Sequence, residues 1–135
     1  GHFSCRFRAT AFREAVFSRI VKEEYDMTCA ITGISIKNER GKGEIEAAHI
    51  KPVKFNGPDS VRNGIALCRT FHWMFDYGLV SVADNSEILI KEIVPDRVRQ
   101  LINSDGRIRI PSNRNAVPHP EFLRFHREHL YILVR

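Results

Sequence analysis

His49, Asn63 and His72 are the side chains of this 135-residue sequence whose types and order could do chemistry together. They fall within EAAHIKPVKFNGPDSVRNGIALCRTFHWMFDYG, residues 46–78, and are separated by 14 and 9 positions. Imidazole titrates near neutral pH, so it can take a proton from water or, when neutral, offer a lone pair to a cation. The first histidine sits on an apolar run and the second among apolar residues repeating every three to four positions. A strand, a loop and a helix at these separations would turn both histidines toward one cleft.

The elements that must position them can be read from the same chain. Phe12, Val16, Ile20 and Val21, with Ala15 and Phe17 beside them, repeat at helical spacing after Thr10, which predicts a helix over roughly residues 11–24 capped at Thr10. CAITGISI reads as a short strand and a turn at Gly33, and NERGKG as a polar loop. EIEAAHIKPV reads as a strand closed by Pro52. Asn56-Gly57-Pro58 and Asn63-Gly64 make the next segment a loop that goes out and returns before IALC. CRTFHWMFDYG predicts a short helix ending at Gly78, and LVSVADNSEILI a hairpin. VPDRVRQLIN predicts a helix, GRIRIP a strand, and the segment from Pro120 a closing helix.

AAHIKP, NGIALC and HWMFDYGL together resemble the HNH endonucleases of the ββα-metal nuclease superfamily. They are most similar to the variety in which Phe-Asp-x-Gly-Leu follows the second histidine, found alone or as the cleavage domain of restriction and anti-phage nucleases. The resemblance implies an α+β fold and one domain over residues 1–135. Its ββα-metal core would lie at about residues 27–90, a short hairpin and a helix flanked by terminal helices and a further small hairpin. It implies a hydrolase that cuts DNA phosphodiester bonds, leaving 5′-phosphate and 3′-hydroxyl ends. His49 would be the general base and His72 a ligand of one divalent cation, Mg²⁺ or Mn²⁺. Asn63 would bond backbone groups across the loop and so aim the base.

In many relatives a metal-binding Asp or His stands just before the catalytic histidine, where this sequence has Ala48. Two carboxylates could complete the set. Asp76 follows His72 by one helical turn, and Glu46 stands two residues before Ala48 on the same strand. Asp76 is favoured over Glu46.

Other residues read more plainly. Cys29 and Thr32 stand where some relatives carry half of a zinc knuckle, but threonine is no usual ligand and no second pair follows, so structural zinc is not expected. Cys68 reads as a buried core residue. His126 and His129 are assigned no site, and His119 is placed in a proline-rich turn. Successive aromatics on a helix point in different directions, so Trp73, Met74 and Phe75 read as packing rather than a stacking platform. Lys51, Lys54, Arg62 and Arg69 flank the proposed cleft and read as phosphate contacts.

Composition bounds the remainder. Hydrophobic residues make up 43% and charged residues 27%, which excludes disordered and low-complexity classes. No apolar run approaches the roughly 18 residues of a membrane helix, so no membrane partner is expected. The net charge is +5, and residues 97–135 hold eight arginines against three carboxylates, which favours a polyanion partner. Cys5, Cys29 and Cys68 are odd in number and widely spaced, which points to a reducing, cytoplasmic setting. Gly1-His2 reads as a tag remnant and the chain as part of a longer protein, with an attached specificity or regulatory domain expected. A catalytically silent nucleic-acid-binding module, and an RNase or toxin of the same fold, are the rival readings.

Overall fold

The computed structural model describes residues 2–132, and side chains from residue 8 onward. Helix α1 (His2–Glu24) is followed by an antiparallel pair, β1 (Glu46–His49) and β2 (Gly64–Leu67), and by α2 (Arg69–Asp76). A second pair, β3 (Val80–Val82) and β4 (Ile88–Ile90), precedes the short α3 (Asp96–Arg99) and α4 (Pro120–His126). The molecule is α+β, with the β1–β2–α2 unit at its centre. Gly1, the side chains of His2 and Cys5, and Arg135 lie outside the described residues.

In the central pair Glu46 faces Leu67, Ala47 faces Ala66, Ala48 faces Ile65 and His49 faces Gly64. All four residues of β2 are buried, as its unbroken apolar run requires. Phe17, Val21 and Tyr25, one turn apart along α1, are buried against this pair in the main core. Gly64 permits the approach: a Cβ there would lie 2.3 Å from Val21 Cγ2. From the other side α2 buries Phe71, Met74 and Phe75. Burying a side chain of this size stabilises by about 1.5–3 kcal/mol, so these contacts hold the hairpin between two helices. The backbone amide of Arg69 donates to the Glu44 carboxylate at 3.0 Å, which places an anion at the start of α2.

Several local expectations are corrected. Helix α1 begins at His2, so Thr10 is an internal helical residue; its Oγ1 accepts from Arg13 Nη2 at 3.3 Å. Neither glycine nor proline interrupts residues 2–10, so no residue type stops the helix there. CAITGISI forms a turn but no strand. The Cys29 amide bonds Ile34, the Ala30 amide bonds Ala66, and the Ala30 carbonyl accepts from Arg109. With backbone groups directed to three segments, no ladder can form. GRIRIP likewise makes an isolated bridge, Arg107 with Glu87, because Arg109 leaves for Ala30. The helix expected in VPDRVRQLIN is limited to α3, since Asn103 Nδ2 binds the carbonyls of Ala30 and Arg107 and turns the chain. His119 caps α4, its Nδ1 accepting from the Glu121 amide at 3.0 Å.

Candidate active site

His49, at the end of β1, and His72, on α2, line one cleft of about 460 Å³ together with Ala47, Val53, Lys54, Asp76 and Tyr77. Their surroundings differ. The His49 ring stacks on Phe17 of α1, with centroids 4.1 Å apart and planes 12° from parallel. Its Nε2 lies 2.8 Å from Asp59 Oδ1. A carboxylate accepts and does not donate, so Nε2 carries the proton and the lone pair of neutral His49 is on Nδ1. Among the described residues Nδ1 has no hydrogen-bond partner.

His72 is gripped on both ring nitrogens. Nδ1 lies 3.0 Å from Glu46 Oε1 and Nε2 lies 3.2 Å from Asp76 Oδ2. Asp76, and then Glu46, raise its pKa to about 9 against the opposing effect of burial. At neutral pH the ring is therefore an imidazolium between two carboxylates. Offering Nε2 to a cation would require loss of that proton.

Asn63 explains how the loop between these elements closes. It is fully buried. Its Oδ1 accepts from the Lys51 amide at 2.8 Å, and its Nδ2 donates to the carbonyls of Lys51 and Pro58, each at 3.0 Å. Gly57 lies so close to Lys51 that a Cβ would sit 1.7 Å from the Lys51 carbonyl oxygen. These contacts cinch residues 51–63 into a tight lobe, and the lobe carries Asp59 back onto His49.

This strand–lobe–strand–helix unit coincides with what comparison finds: a family model for HNH endonucleases matches residues 29–83. A solved structure of a modification-dependent TagI restriction endonuclease is also similar, with a TM-score of 0.69 and 26% identity over 86% of this chain and 38% of that one. Residues 29–83 are thus similar to an HNH endonuclease domain. The chain spans well under half of the length of the TagI protein. Among curated proteins none matches.

Within the matched segment, Ala48 is fully buried and points into the core, so it offers nothing to the cleft. Of the basic residues, Lys54 lines the cleft and Lys51 lies over the Phe125 ring. Arg69 is exposed, 3.6 Å from Glu46 Oε2, whereas the Arg62 Nε donates to the Val117 carbonyl at 2.9 Å and ties the lobe to the C-terminal segment. Arg99 and Arg127 likewise bind backbone carbonyls, so the C-terminal positive charge is partly structural. Cys29 and Cys68 are both buried, and Thr32 Oγ1 lies 4.0 Å from Cys68 Sγ. His126 is buried, with Nε2 donating to the Phe75 carbonyl at 2.8 Å and Nδ1 accepting from Ser81 at 2.7 Å.

Three features escaped sequence reasoning. Phe17 and Asp59 meet His49 only through tertiary folding. The aromatic run is a correction: Met74 and Phe75 are core, but Trp73 is exposed and pairs with Tyr77 one turn on. The signal for that pair was present as the i, i+4 spacing of two large aromatics on the polar side of α2.

Proposed function

We propose that the domain hydrolyses phosphodiester bonds in DNA, with His49 as general base and a divalent cation, Mg²⁺ or Mn²⁺, held at His72. The observation that carries this reading is the shared cleft, in which one histidine presents an unengaged Nδ1 and the other a carboxylate-flanked ring. His49 Nδ1 takes the proton of the attacking water. Asp59 holds the opposite nitrogen protonated and stabilises the imidazolium that results, while Phe17 prevents the ring from turning. Asn63 acts at a distance by holding the lobe that carries Asp59.

The donor set suits a hard cation. His72 Nε2 and Asp76 Oδ2 are close enough to share one ion, and an imidazole with a carboxylate leaves other positions for water and phosphate oxygens, as Mg²⁺ prefers. Among the described residues no three His, Cys, Asp or Glu side chains are grouped so as to hold a metal ion by themselves. Glu46, the alternative ligand in the sequence reading, here orients His72 through Nδ1, the usual position of a carboxylate behind a metal-binding histidine. An ion so held would neutralise charge developing on the phosphate and on the departing 3′-oxygen. The proposed products are 5′-phosphate and 3′-hydroxyl ends. An attached specificity or regulatory domain is proposed to choose the target.

Supercoiled plasmid incubated with wild type and His49→Ala across Mg²⁺, Mn²⁺, Ni²⁺ and EDTA tests the reading. Cation-dependent nicking should fall by roughly 10²–10⁴-fold in the variant while its melting temperature holds. Equal nicking by both proteins would remove His49 from the chemistry. DNA binding that survives EDTA with no nicking under any cation would favour a silent binding module instead.

A further inference from the structure

Trp73 projects from the helix that carries His72 and Asp76, and Tyr77 stands at the C-terminal cap of that helix. They are 57% and 60% exposed, with ring centroids 4.8 Å apart and planes inclined by 34°. The helix does not need them for packing, because Phe71, Met74 and Phe75 form its buried face. Tyr77 lines the cleft between the two histidines, and Val53 and Lys54 line it as well. Lys54 Nζ lies 5.3 Å from the centroid of the half-exposed Phe55 ring. Aromatic surface left in water beside a reacting centre marks a contact surface, and its flanking lysine suits a polyanion.

Resting on the nuclease reading above, we infer that Trp73 and Tyr77 are a stacking platform for unpaired bases, so that the preferred substrate is a strand whose bases are open next to the scissile phosphate. Rings stack on any base because every base has a π face, and the neighbouring lysine meets the backbone. In a closed duplex those faces are covered by adjacent base pairs. The platform is therefore usable only on single-stranded, bulged or kinked DNA, where at least one face is free. It selects for structure rather than sequence.

Trp73 is the only tryptophan of the chain, so its emission reports on the platform directly. The full chain in EDTA would be titrated with an end-labelled single-stranded oligonucleotide and with its duplex, reading label anisotropy and Trp73 emission together. The single strand should bind about tenfold more tightly and quench Trp73. Tyr77→Ala and Trp73→Leu should each weaken single-strand binding by roughly tenfold by anisotropy, with little change for the duplex or in melting temperature. Binding without quenching, or an unchanged preference in both variants, would overturn the platform and leave the nuclease reading standing. No anisotropy change with either DNA would overturn the platform and the nucleic-acid reading together.

Discussion

His49 and His72 face one cleft, yet they are held in different ways. His72 is gripped by groups close to it: Asp76 one turn along the same helix and Glu46 on the strand that the helix packs against. His49 is held by groups from elsewhere, Phe17 on α1 and Asp59 in the lobe. The first arrangement concentrates negative charge around an imidazole and makes it a cationic site. The second leaves one nitrogen protonated and the other bare, which is the state a base requires. In the proposed mechanism the same side chain serves as ligand or base according to how many carboxylates reach it.

The contrast can be broken at either end. The largest effect is expected at His72, where His72→Ala should lower nicking by roughly 10²–10⁴-fold and abolish saturation by added Mn²⁺. Isothermal titration of Mn²⁺ would read the binding half of this directly. Asp76→Asn should raise the cation concentration needed for half-maximal rate more than Glu46→Gln does; the reverse order would make Glu46 the ligand. At the other end Asp59→Asn should reduce kcat by roughly 10–100-fold with KM nearly constant. Partial recovery in Asp59→Glu would separate orientation of His49 from a merely structural role.

Smaller effects concern the frame. Asn63→Ala leaves three backbone groups without their partner, so chemical denaturation should show a loss of about 3 kcal/mol. Activity should fall with it, because the lobe then no longer presents Asp59.

A third histidine gives the contrasting case. Among the described residues His126 has only neutral hydrogen-bonding partners, and burial pushes its pKa down to about 4. The unfolded chain, titrating near 6.5, binds the proton more readily than the folded one. Stability is therefore complete above pH 6.5 and falls as the pH drops toward 4, by on the order of 3 kcal/mol from this group. Melting temperatures of His126→Gln should show a shallower acid slope than wild type; parallel curves would show that His126 does not titrate in the fold.

Much of the site was legible because its parts are near in sequence or carry distinctive spacing. His72 with Asp76, the glycine stop at Gly78, the Asn-Gly return and the hairpin after it all depend on interactions within a few residues. The grouping of His49, Asn63 and His72 was legible as a motif. Asn63 itself reaches Lys51 and Pro58 across the loop. Less legible were segments whose backbone groups pair with distant partners. Residues 29–36 and 106–111 have strand-like composition, but Ala30 and Arg109 bond each other rather than extending either run into a ladder.

The sequence by itself determined the α+β class, the central strand–loop–strand–helix unit and the identity of both histidines, because spacing, turn residues and apolar periodicity act locally. Only the tertiary structure decided which carboxylate reaches which ring nitrogen, that α1 supplies a ring beneath His49, and that Trp73 rather than Met74 or Phe75 faces solvent. Those outcomes depend on how the lobe closes and how two helices pack on a hairpin, and the contacts responsible join residues far apart along the chain.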